Sequence, residues 1–187
     1  MINIFRSLVL SLFGLGPMAT LSIIFIITMT VGPGPEFKIS SYIGDYIINS
    51  EKLIDQGMSF EDVSGYVFRF LSELNIALLS LTISMTLGWS AWSHYLNIDA
   101  PGKAKIYFIH WVVFTGIFVT LSFAILFYFT QTSAYMAQQF LSGGGKTQII
   151  IGSLVLYILM YYAGVLLGTA RFARSSVLLA NKLPGNL

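Results

Sequence analysis

Four stretches of this sequence are each long enough to cross a bilayer and carry no charged residue: Leu8 to Val31, Leu74 to Ile98, Ile106 to Phe129 and Thr147 to Ala170. A crossing needs about 20 mostly apolar residues, because the hydrocarbon core is roughly 30 Å thick. A helix on the surface of a water-soluble protein alternates an apolar stripe with a charged one. These stretches are apolar all round, so lipid rather than water is the solvent they fit. Composition agrees: 56% of residues are hydrophobic and 10% are charged, against roughly 25% charged in soluble domains. The expected architecture is an all-α integral membrane protein, a bundle of four transmembrane helices in a single membrane domain.

The first crossing, 8–31, begins like a signal peptide, with Arg6 ahead of an apolar run and small residues near Ala19. The run continues through Leu21 to Met29, longer than a cleaved leader requires, and is read as a retained helix. The second helix is expected over 60–96. Ser59 and Asp62 stand at the spacing of a capping box, with Asp in place of the usual Glu. The third is expected over 103–140 and the fourth over 147–178. At 1.5 Å per residue the second and third exceed one crossing. They are expected to form a long antiparallel hairpin, turning at Asn97 to Gly102 and projecting from the outer side.

Between the first two crossings lies an outer segment, 32–58. Gly32-Pro33-Gly34-Pro35 breaks the helix. Ile39, Tyr42, Ile43, Tyr46 and Ile47 then recur at helical spacing, as in a short amphipathic helix lying over the bundle mouth. Basic residues in short loops set orientation. Placing both termini in the cytoplasm puts Arg6, Lys103, Lys105, Arg171, Arg174 and Lys182 inside. Lys38, Lys52, Arg69 and Lys146 are then spread over the longer outer segments. A bacterial inner membrane is the expected location.

Several function classes are excluded early. The chain has no cysteine, which removes disulfides, thiolate nucleophiles and Cys-ligated metal centres. A net charge of +2 with no basic stripe gives no reason to expect nucleic acid as a partner. Gly143-Gly144-Gly145-Lys146-Thr147 resembles the end of a phosphate-binding loop. Phe140 stands where that motif needs glycine, and a membrane span follows instead of a soluble helix. The run is read as a flexible turn.

The candidate sites are few. His94 and His110, the two histidines, are expected at similar depth on facing helices, where paired imidazoles could hold a haem iron. Trp89, Trp92 and Trp111 crowd the same region, so an interfacial belt in which histidine is comfortable is the competing reading, and no cofactor is the working expectation. Gly164 and Gly168 form a Gly-x-x-x-Gly pair, expected to admit a close helix from this chain or from a second copy. Arg69 and Glu73, four apart, can pair, and an acid bordering a span also raises ion or proton handling. Asn75, Thr82, Thr86, Ser90 and Ser93 stud the second helix, and Thr115, Thr120 and Ser122 the third. These polar groups are expected to bond helix to helix.

No catalytic residues stand out. The leading expectation is a non-enzymatic subunit of a larger, oligomeric membrane assembly of the secretion, conjugation or energy-coupling kind. Its partners would be the lipid bilayer and other membrane subunits or copies of itself. The alternatives are a small homo-oligomeric channel or transporter and, third, a redox subunit holding haem or quinone through the two histidines.

Overall fold

The computed structural model describes residues 60–95, 103–131 and 141–170, with 8–13, 15–17, 19–20 and 22–23 of the N-terminal region and residues 5, 55 and 57. The expected inner turn at 97–102, the stretch 132–140, most of the expected outer segment 32–58 and residues 171–187 lie outside the described residues. The protein is helical, with no β-strand among the described residues. A shorter apolar helix, α1 (Leu8–Pro17), precedes three long ones: α2 (Phe60–Tyr95), α3 (Lys103–Gln131) and α4 (Gly143–Ala170).

Each long helix contains a stretch able to cross a membrane: Arg69–Ser93 in α2, Phe108–Gln131 in α3 and Gly143–Val165 in α4. In hydrocarbon a backbone amide has no water to bond, so an apolar segment of this length satisfies its polar groups internally by coiling into a helix. Within these windows only 33%, 22% and 28% of residues are buried, respectively. The remaining surface is rich in Ile, Val, Leu and Phe, including Val113, Phe123, Ile151 and Val155. A water-facing protein would not leave so much large apolar surface uncovered. All three are long and apolar enough to cross a membrane, which is the pattern of an integral membrane protein.

Local chemistry explains where they begin. The fourth helix starts at Gly143, four residues before the expected start, and the triglycine is its first turn rather than a loop. Ser142 is the reason. Its Oγ accepts a hydrogen bond from the Gly145 amide at 2.8 Å, and its carbonyl accepts one from the Lys146 amide at 3.0 Å. That is N-capping, which gives an otherwise poor helix former a defined start. Ahead of α2, Gly57 takes φ 81°, a left-handed backbone that glycine adopts without a Cβ clash.

The chain divides into two compact units, and α2, α3 and α4 each contribute residues to both. The first comprises Met1–Ala19, Leu79–Leu121 and Leu156–Leu187. Its core is aromatic. Trp89 meets Phe114 edge-on with ring centres 5.3 Å apart, and Phe118 stacks on Tyr161 at 4.6 Å. Trp92 lies 6.1 Å from His110. Later residues of α2 thus pair with earlier residues of α3, so the two helices run antiparallel in this unit. The second unit comprises Thr20–Leu78 and Ser122–Val155. There Phe70 packs edge-on against Phe129 at 6.4 Å, with both rings buried.

Candidate functional site: a buried polar face on α2

Asn75, Thr82, Thr86, Ser90 and Ser93 are separated by steps of seven, four, four and three residues. On a helix of 3.6 residues per turn those steps return to one side. All five are buried, between 0% and 8% exposed. These polar positions of α2 therefore face protein, alongside the buried Leu74, Leu78 and Trp89, while Ile76 and Trp92 are exposed.

Two of these groups tie α2 to the N-terminal region. In the first unit the Ser11 and Ser90 hydroxyls are hydrogen-bonded at 2.7 Å, both fully buried. In the second unit the Ser22 hydroxyl donates to Asn75 Oδ1 at 2.6 Å. A polar group in hydrocarbon has few other partners, and such helix-to-helix bonds contribute about 0.6 kcal/mol on average. Ser93 bonds back to the Ser90 carbonyl of its own helix at 2.9 Å. The expectation for the third helix needs correcting at Thr120 and Ser122. Thr120 is exposed and donates to the Gly116 carbonyl of its own turn at 2.9 Å. Ser122 is buried, and its Oγ has no hydrogen-bond partner.

Gly164 is also turned inward. A Cβ at this position would lie 2.7 Å from Thr86 Cγ2 and 3.1 Å from Leu15 Cδ2. The missing side chain is what lets α4 approach α2 and α1 so closely, and the contact is made within the chain. Gly168 lies in α4, and its surroundings are outside the described residues.

Arg69 Nε donates to Glu73 Oε1 at 2.9 Å, with the side chains 71% and 36% exposed. An ion pair so open to its surroundings is screened and contributes little, typically 0.3–0.5 kcal/mol for this spacing. His110 is half-buried beside Trp92. His94 belongs to α2 but its side chain is outside the described residues, and so is its expected pairing with His110. Among the described residues no three histidine or carboxylate side chains gather as a metal site would require.

The residues that sequence reasoning passed over are Ser11 and Ser22. Both lie in the apolar first stretch, and only the spacing of the five polar positions on α2 marked a face they could meet. Comparison with protein-family models, with curated proteins and with solved structures returned no match.

Proposed function

We propose that this chain is a non-enzymatic integral membrane subunit of a larger assembly in a bacterial inner membrane, of the secretion, conjugation or energy-coupling kind. In this reading it crosses four times, keeps both termini in the cytoplasm and projects the α2–α3 hairpin on the outer side. The supporting observation is the length of α2. Its 36 residues make a rod of about 54 Å, whereas the stretch able to cross is Arg69–Ser93. Residues 60–68 continue the helix for roughly two and a half turns beyond that stretch. On this extension Tyr66 is 42% exposed. A regular helix carrying an uncovered aromatic beyond the bilayer suits contact with a partner chain. The test is native mass after extraction in mild detergent. A particle containing more than one chain is expected, and a monodisperse monomer would overturn the assembly reading.

A second reading, a small homo-oligomeric channel or transporter, draws on the buried hydroxyl face of α2, which could line a narrow wet path. Ion flux through liposomes carrying the purified chain would support it, with Glu73→Gln altering the rate. Absence of flux in every reconstituted state would remove it.

A further inference from the structure

In the first unit, the end where α2 finishes and α3 begins combines exposed aromatic rings with an excess of positive charge. On α2 the stretch able to cross stops at Ser93, and on α3 it starts at Phe108. Trp92 and His110 bring those two limits to one level, with their ring centres 6.1 Å apart. Trp92 is 43% exposed and Phe108 is 38% exposed. Trp89, three residues before Trp92, is instead fully buried and packed on Phe114. Tryptophan and histidine each join an apolar body to a polar tip, which suits a depth where one side is hydrocarbon and the other is wet.

Charge separates this end from the other. Lys103 and Lys105 stand in the first turn of α3, just ahead of its crossing stretch. That turn holds no acid, and neither does α2 from Leu74 to Tyr95. Asp99, the nearest acid in the chain, leaves two positive charges against one. At the far end of the α2 crossing stretch, by contrast, Arg69 is met by Glu73 at 2.9 Å. A lysine pair beside exposed aromatics complements a headgroup that carries net negative charge.

We propose that this end of the molecule is a contact surface for anionic phospholipid headgroups. Trp92 and His110 seat at the level of the lipid carbonyls, and Lys103 and Lys105 supply the charge that draws the phosphates. A zwitterionic lipid fits less well, because its own ammonium group meets the same lysines. The proposal needs the helices in a bilayer and is independent of whether the chain joins an assembly.

Native mass spectrometry tests it, using protein in mild detergent supplied with equal amounts of phosphatidylglycerol and phosphatidylcholine. The unaltered chain is expected to retain phosphatidylglycerol several-fold more often, and rising ammonium acetate should shrink the excess by screening. The double variant Lys103→Gln with Lys105→Gln should lose the preference. Lys146→Gln, which removes a charge in the first turns of α4, should keep it. Equal retention of both lipids by the unaltered chain overturns the proposal. So does a preference that survives in the double variant, or one lost equally in Lys146→Gln. A second readout needs no substitution and decides alone if the double variant fails to fold. In reconstituted vesicles, phosphatidylglycerol brominated high on its acyl chains should quench tryptophan emission more than equally brominated phosphatidylcholine, since Trp92 is exposed at that end. Equal quenching by the two lipids overturns the contact.

Discussion

A methyl group added at Gly164 would meet Thr86 Cγ2 at 2.7 Å and Leu15 at 3.1 Å, and the two neighbours differ in how far they can yield. Leu15 can turn its side chain. Thr86 is branched at Cβ and stiff in a helix, so α4 itself must move. Gly164→Ala should therefore destabilise the protein by about 1–3 kcal/mol. Gly152, also in α4, has nothing within 4 Å of an added Cβ. Gly152→Ala should be neutral or slightly stabilising, because alanine is the better helix former. Thermal unfolding of both variants in one detergent checks the pair, and equal losses at the two sites would show that the contact at Gly164 is not tight. The sequence marked Gly164 through its partner four residues on. Which helix it meets was not legible, because an inward-facing and an outward-facing glycine in an apolar run look alike.

Helix ends show the same division between what local chemistry reveals and what it conceals. Ser142 stands before three glycines, the weakest helix formers after proline, and the glycines alone make the segment read as a turn. The cap bonds at 2.8 Å and 3.0 Å instead begin the helix at Gly143. Ser142→Ala should cost about 1 kcal/mol. Amide hydrogen exchange should show the loss concentrated at residues 143–147, while α3 is unaffected. Protection unchanged at those amides would mean that packing, rather than the cap, sets the helix start. The five polar positions on α2 were legible as one face from their spacing alone. Their partners were not, because Ser11 and Ser22 sit in a stretch with no polar period of its own.

At the scale of the whole molecule, the most legible property was the choice of solvent. Uncharged stretches longer than a bilayer crossing leave few options, and three of those read from the sequence are helices of the required length. The prediction is correspondingly firm: in washed membranes the chain should stay in the pellet through high salt and alkaline carbonate and be released only by detergent. Release by carbonate would remove the transmembrane assignment. Side-chain pairing across the bundle was not legible, because with lipid outside and apolar residues inside, hydrophobicity no longer separates surface from core.

The three crossing stretches run 25, 24 and 23 residues, about 35 Å of helix each, against a hydrocarbon layer of roughly 30 Å. Such a mismatch is relieved by leaning or by local swelling of the lipid, at a fraction of a kcal/mol per ångström. Acyl-chain length thus becomes part of this protein's own energetics. A change of lipid alone would tighten or slacken the helices against one another, with no residue altered.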